Sequence, residues 1–298
     1  MPFAQFIRGA PVLADGAWGT ELQKRGLPAE ACPDAWNLTQ AARVREVAEG
    51  YVQAGSRVIL TNTFRANPAS LAQHGLEAQV EAVNRAGVRI SREAAQGAAL
   101  VFASLGPTGK MLLSKEITTQ QMKDAFSAQA RALAAEGPDA LLVETMTDLT
   151  EARIAAEAAL ETGLPVIVSL VFDWGANRDR TIMGATPEQA AASLAAAGVQ
   201  GIGANCGNGI RAYIPICRRL VSATHLPVWM KPNAGLPEVV DGKVEYRTTA
   251  EEFAAAAQEL AEAGAAFIGG CCGTTPDFIR AMAAGGTWAN PLAVRSGL

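Results

Sequence analysis

The sequence predicts one domain over residues 1–298, a (β/α)8 barrel, and three observations predict it. Eight short apolar runs recur along the chain, and segments of helical periodicity lie between them. No Pro- or Ser-rich linker and no shift of composition divides the chain. Alternating strands and helices give a parallel sheet with its helices outside, and eight such units close into a barrel. An open, doubly wound sheet is the other arrangement this pattern permits.

The apolar runs lie at 11–14, 57–61, 100–105, 140–144, 165–172, 200–204, 227–231 and 265–269. They are nearly continuous rather than alternating, as expected of strands buried on both faces. Helical spacing appears at 41–54, 76–96, 119–136, 150–162, 186–197, 210–223 and 249–263. In the first of these, Val44, Val47, Ala48 and Tyr51 share one face. Thr118/Thr119, Thr186-Pro187 and Thr248/Thr249 offer hydroxyls that cap helix starts. Gly55, Gly137, Gly163, Gly198 and Gly264 follow helix ends, where a left-handed backbone favours a residue without a Cβ.

Composition narrows the function. Hydrophobic residues make up 49% and charged residues 18%, enough for a large core and unlike a disordered chain. The 25 basic and 29 acidic residues leave a net charge of −4, which argues against a broad nucleic-acid-binding surface. No apolar run approaches the ~18 residues that span a bilayer. Residues 1–14 lack the pattern of a targeting signal, so the expected location is the cytoplasm. Five cysteines, an odd number, read as reduced thiols rather than as a disulfide framework.

Barrel active sites form where strands end and βα loops begin. Here those ends carry Asp15-Gly16-Ala17-Trp18-Gly19-Thr20, Asn62-Thr63-Phe64, Gly106-Pro107-Thr108-Gly109, Glu144-Thr145, Asn205-Cys206, Lys231-Pro232-Asn233-Ala234-Gly235 and Gly270-Cys271-Cys272-Gly273-Thr274. Three thiols fall at one predicted end. Neighbouring residues on a regular strand point to opposite faces. Gly269, Gly270 and Gly273 let the backbone bend so that Cys271 and Cys272 both turn inward. Cys206 ends the sixth strand, two strands away.

Three thiolates suit zinc and leave one tetrahedral position open for an incoming thiol. Buried structural thiols or a redox pair explain the same residues, and spacing alone leaves these readings open. A histidine site is not expected, because His74 and His225 read as solvated or core residues. Cys217 reads as helix core and Cys32 as a surface or pocket thiol. Trp18 and Trp36 either wall a site or pack. Lys231 reads as an ion pair at the barrel mouth, contact with a substrate carboxylate being the other reading. Asn62, Asn205 and Asn233 shape a pocket or make turns. Gly201-Ile202-Gly203 lacks dinucleotide spacing, and no Walker lysine follows it.

From Asp15 to about Met282 these motifs, together with Thr61-Asn62-Thr63-Phe64 and Gly269-Gly270-Cys271-Cys272-Gly273-Thr274-Thr275-Pro276, resemble the homocysteine S-methyltransferase family. The resemblance is strongest to the homocysteine-binding domain of cobalamin-dependent methionine synthase. It implies a (β/α)8 barrel whose zinc sits on Cys206, Cys271 and Cys272. It also implies homocysteine bound through sulfur to that zinc, its amino-acid end held by Asp15, Gly16 and Glu144; Asn62 and Asn205 are further candidates for the substrate site. The implied reaction is methyl transfer to the homocysteine thiolate, giving methionine.

Methionine synthases carry further domains for folate and corrinoid, and this sequence has only the homocysteine-domain motifs. Either the sequence is a piece of a longer enzyme, or the expected donor comes from elsewhere. It is a methylated corrinoid, free or on a partner protein, or a small sulfonium or ammonium compound such as S-methylmethionine or a betaine. Two alternatives remain at this level: a non-catalytic zinc or thiol redox sensor, and a methyltransferase of the same fold using another thiol.

Overall fold

A computed structural model of the chain describes residues 10–240 and 243–292. The amino-terminal half runs β1 (Val12–Leu13), α1 (Gly19–Lys24), α2 (Trp36–Thr39), α3 (Ala41–Ala54), β2 (Val58–Leu60), α4 (Pro68–Leu71), α5 (Val80–Ala95), β3 (Leu100–Leu105), α6 (Thr119–Ala134), β4 (Ala140–Met146) and α7 (Leu149–Leu160). The rest runs β5 (Val166–Leu170), α8 (Pro187–Ala197), β6 (Gly201–Cys206), α9 (Ile210–Ala223), β7 (Val228–Pro232), the hairpin β8 (Glu238–Val240) and β9 (Lys243–Glu245), α10 (Ala250–Glu262), β10 (Phe267–Ile268) and α11 (Pro276–Gly285).

Eight strands pair in parallel in the order β1-β10-β7-β6-β5-β4-β3-β2. A parallel bridge between Ala14 and Val58, with the Arg57 N–H donating to the Leu13 carbonyl at 2.7 Å, joins the first strand to the last. The sheet is therefore a (β/α)8 barrel and not an open sheet. Each of the eight expected apolar runs supplies one of its strands.

The local signals act where the sequence places them. Thr118, Thr186 and Thr249 each accept from the third helical N–H, and that residue's side chain accepts in return from the Thr backbone. Gly55 and Gly198 hold left-handed caps at φ of 109° and 87°. The region 76–96 departs from one continuous helix, because a 3-10 turn at 77–79 precedes α5. The short helices α1, α2 and α4, the β8–β9 hairpin and α11 are additions to the sequence reading. For α11 the signal is present: Thr275 caps the helix and Pro276 occupies its first turn.

The barrel interior is filled by Val12, Ala14, Val58, Leu60, Leu100, Phe102, Ala140, Leu142, Ile167, Trp229 and Phe267. Phe102, Trp229 and Phe267 form a ring cluster with centroids 5.3–5.9 Å apart. Strand β6 comes so close to β7 that a Cβ on Gly203 would lie 1.9 Å from the Trp229 carbonyl oxygen, so glycine is required there.

Side chains alternate with period two. Two residues beyond Leu60, Phe102, Leu142, Ile167, Gly203 and Trp229 stand Asn62, Ser104, Glu144, Ser169, Asn205 and Lys231, all buried. The inward register thus changes from apolar to polar within one step, and the polar layer lies at the carboxyl ends of the strands. Polar groups buried this way are costly unless they are bonded. Among the described residues, no helix is long and apolar enough to cross a membrane. Residues 1–9, part of the segment read for targeting, lie outside the described residues.

Candidate metal and thiol site

The sulfurs of Cys206, Cys271 and Cys272 lie within 4.8 Å of one another. Cys206 and Cys271 approach to 2.9 Å, well beyond the ~2.05 Å of a disulfide. By strand alternation Cys206, next to inward-facing Asn205, would point away from the mouth. Its backbone instead turns left-handed at φ 62°, a conformation that costs a non-glycine residue about 1–2 kcal/mol. Beyond the end of β10, the Cys271 N–H donates to the Pro232 carbonyl at 2.8 Å and the Cys272 carbonyl accepts from Ala234 at 3.0 Å. Gly273 follows at φ 84°, with the Tyr246 ring packed so closely that a Cβ would meet it at 2.3 Å. Tyr246 thus packs against the turn that follows Cys272. The sequence reading passed over this tyrosine, which reaches the site from the end of the unforeseen hairpin.

Asn205 links the thiols to the neighbouring strand end. Its Oδ1 accepts from the Thr145 N–H at 2.9 Å and the Ser169 hydroxyl at 2.7 Å. Its Nδ2 donates to Thr145 Oγ1 at 2.7 Å and approaches Cys206 Sγ at 3.5 Å. Thr145 is itself left-handed, at φ 61°. One buried amide therefore holds two strained corners, beside Glu144 and at Cys206. Asn205→Ala is expected to cost about 1–3 kcal/mol by leaving Thr145 N–H unpaired, and to weaken zinc affinity ~10- to 100-fold. Thermal melts and zinc competition titrations check this; an unchanged zinc affinity would remove Asn205 from the support of the site.

Asp15, fully buried, accepts from the Leu60 N–H at 2.8 Å and Trp18 Nε1 at 2.7 Å on Oδ2, and from Lys231 Nζ on Oδ1. Lys231 also reaches the Gly16 carbonyl at 3.5 Å. Its ammonium is held in the charged form against desolvation chiefly by the charge of Asp15, then of Glu144. The Ser104 hydroxyl donates to Glu144 Oε1. Burial pushes the Glu144 carboxyl up to about 7, the Lys231 charge opposing it.

A cavity of about 380 Å³ joins these groups. Its lining includes the thiols of Cys206, Cys271 and Cys272, the polar groups of Asn62, Ser104, Glu144 and Lys231, and the apolar side chains of Leu27, Pro28, Pro33 and Phe64. Trp18 walls the cavity, whereas Trp36 is buried beneath Arg43. Asn62 ties the end of β2 to the next loop, donating to the Pro33 carbonyl at 2.8 Å and Asn37 Oδ1 at 3.0 Å. Asn233 bonds the Gly207 carbonyl at 2.9 Å and so braces the turn after Cys206. Cys217 is buried in α9. Cys32 is buried as well, against Ala66, Leu71, Val80 and Val83, and is not a surface thiol. His74 and His225 are exposed.

The thiol trio fits a zinc ion. Tetrahedral Zn–S bonds of ~2.3 Å set sulfurs about 3.8 Å apart, within the observed spread. Crowding also favours a cation: the contacts of the Cys206 thiol with Cys271 and Cys272, then burial, push it up, whereas the same two neighbours hold Cys272 low. Three protein donors would leave one position of a tetrahedral ion open.

The family described as homocysteine S-methyltransferase matches the chain over residues 12–285. The chain is 31% identical to methionine synthase of Mycobacterium leprae and 30% identical to that of Mycobacterium tuberculosis, each over 92% of its own length. It spans 24% of those two proteins, about a quarter of their length. The metallated form of the homocysteine methyltransferase MmuM from Escherichia coli superposes with a TM-score of 0.77 at 27% identity, covering 93% of this chain and 96% of that one.

Proposed function

The chain belongs to the homocysteine S-methyltransferase family, and from that premise we propose that it transfers a methyl group to the sulfur of homocysteine, giving methionine, with zinc on Cys206, Cys271 and Cys272. The observation that carries this reading is the convergence of three thiols on a cavity that also holds a buried carboxylate and a buried ammonium. When bound there, zinc supplies a means of keeping an incoming thiol deprotonated at neutral pH. The S–CH3 bond forms as the donor's bond to the methyl carbon breaks. The donor keeps that electron pair, and the thiol proton leaves to solvent.

The chain's own groups orient the acceptor. Glu144 has one oxygen bonded to Ser104, and its second takes no hydrogen bond from the described residues. That oxygen accepts the substrate ammonium. Gly16 brings backbone to the same wall, with Asp15 behind it, and Asn62 and Asn205 hold the strand ends that carry the pocket. Ordering the acceptor against fixed groups lowers the entropy cost of meeting the donor.

The donor enters through the open mouth. Apolar side chains exposed on the surrounding βα loops, among them Met111, Leu113, Trp174, Ile182 and Leu236, favour a methylated corrinoid, free or protein-bound. The apolar side chains that line the cavity, Leu27, Pro28, Pro33 and Phe64 among them, favour a small sulfonium or ammonium compound instead. Zinc-loaded, reduced protein given homocysteine with methylcobalamin, S-methylmethionine or glycine betaine is expected to yield methionine with at least one. If none of these donors nor a methylated corrinoid protein yields methionine, and oxidation reversibly releases zinc, a redox sensor replaces this reading. The proposed location is the cytoplasm, where thiols stay reduced.

A further inference from the structure

The Asp15–Lys231 pair sits where the sequence places an ammonium site for the substrate, and its geometry changes what each residue can do. Asp15 is 0% exposed, and Lys231, not Asp15, lines the cavity. Three donors already converge on the Asp15 carboxylate, from Leu60, Trp18 and Lys231. An incoming ammonium has no surface of Asp15 to meet. Lys231 has the opposite arrangement. Its ammonium carries three N–H donors; among the described residues two oxygens accept from it, Asp15 and, weakly, the Gly16 carbonyl, and the Trp229 ring lies 5.8 Å away as a weaker cation–π partner. One donor is left on a lysine whose side chain is 3% exposed. A buried N–H of a cation without an acceptor is costly, and the cavity is the space beside it.

We infer that Lys231 anchors the carboxylate of the acceptor thiol, and that Asp15 is a positioning residue that acts through Lys231. The inference rests on the thiol-acceptor function proposed above and deepens it. Glu144 offers one free acceptor and Lys231 one free donor on the same wall as the thiols. Together they match the two charges of an α-amino acid, with the sulfur as the third point of attachment. The acceptor class is thus a thiol bearing a carboxylate, and the ammonium is read by Glu144 alone. Arg65 is the other lysine or arginine among the cavity-lining residues apart from Lys231, but it is exposed. Solvent there weakens its hold on a carboxylate.

The test is calorimetric binding of three thiols to zinc-loaded protein: homocysteine, its amino-free analogue 4-sulfanylbutanoate, and its carboxylate-free analogue 3-sulfanylpropylamine. Wild type is expected to bind the carboxylate-free thiol about 10- to 100-fold more weakly than homocysteine, the scale of a hydrogen bond to a charged group. In Lys231→Met that difference is expected to fall below about threefold. Removing Lys231 alone strands a buried Asp15 charge and endangers folding, so the Asp15→Asn/Lys231→Met double variant, which leaves no unpaired charge, is measured beside it. Zinc content is the control and is expected to stay at the wild-type level.

The inference is overturned if the folded, zinc-bearing double variant keeps the wild-type preference for the carboxylate, or if Arg65→Ala abolishes that preference and the double variant does not. If none of the three thiols binds zinc-loaded wild type, the underlying thiol-acceptor reading fails and takes the inference with it. If all three bind wild type equally, the acceptor reading stands and the Lys231 assignment alone falls.

Discussion

Cys271→Ser is expected to lose zinc, with affinity down by more than ~100-fold, and with it methionine formation. Exchanging a supporting residue around a metal costs about 10- to 100-fold, and exchanging a ligand costs more. Serine is nearly the size of cysteine, and the Cys271 backbone bonds to Pro232 and Thr274 do not involve the side chain. A hydroxyl, however, is a harder donor with a far higher pKa than a thiol, and a soft trio becomes a pair. Elemental analysis of protein purified under reducing conditions, with circular dichroism as a fold control, reads this directly. A folded Cys271→Ser protein that retains full zinc and full turnover would remove Cys271 from the site. The same result is expected for Cys206→Ser and Cys272→Ser.

Glu144→Gln is expected to raise the homocysteine KM by ~10- to 100-fold with zinc content unchanged, because a charge-assisted hydrogen bond to the ammonium is lost. The buried carboxyl adds a pH signature. Burial holds Glu144 at about 7, above its ordinary 4.5. The unfolded chain therefore loses this proton first, so the group's stabilising contribution is complete below about 4.5 and falls away as pH rises through about 7. Substrate binding needs the ionised form, and its share of affinity grows over the same interval. Glu144→Gln removes both trends: it is expected to melt higher than wild type at pH 8 and to bind homocysteine more weakly there. The wild-type to variant affinity ratio cancels the thiol's own titration and is expected to grow between pH 6 and 8. A flat ratio, or a variant less stable at pH 8, contradicts a role for the Glu144 charge in holding substrate.

Much of the fold is legible in the chain because the interactions that set it are local or periodic. Continuous apolar runs mark doubly buried strands, and the threonine caps and post-helix glycines mark the ends of the helices between them. The three cysteines were legible for a different reason: each stands where a strand ends, and flanking glycines permit the bend. Other features had a readable signal that was not followed. Ser104 and Ser169 continue the inward register of Phe102 and Ile167 by two residues, and Thr275-Pro276 is a helix start.

Tyr246 and the Asp15–Lys231 pair are different. Tyr246 is 26 positions before Cys272 in the chain, and Lys231 is 216 residues from Asp15. Only barrel closure brings β1 and β7 near each other, through β10 between them. The left-handed turns at Thr145 and Cys206 were hidden for a related reason. No residue type announces them, since strain of this kind is held by tertiary bonds, here from Asn205.

The central claim is that the acceptor's sulfur completes a site begun by three cysteines. Zinc-edge X-ray absorption on reduced, zinc-loaded protein, recorded with and without homocysteine, tests it most directly. The account predicts three sulfur neighbours and one lighter atom before homocysteine is added, and four sulfurs, each at about 2.3 Å, afterwards. A zinc shell that homocysteine leaves unchanged, at concentrations where the amino acid binds, would contradict it.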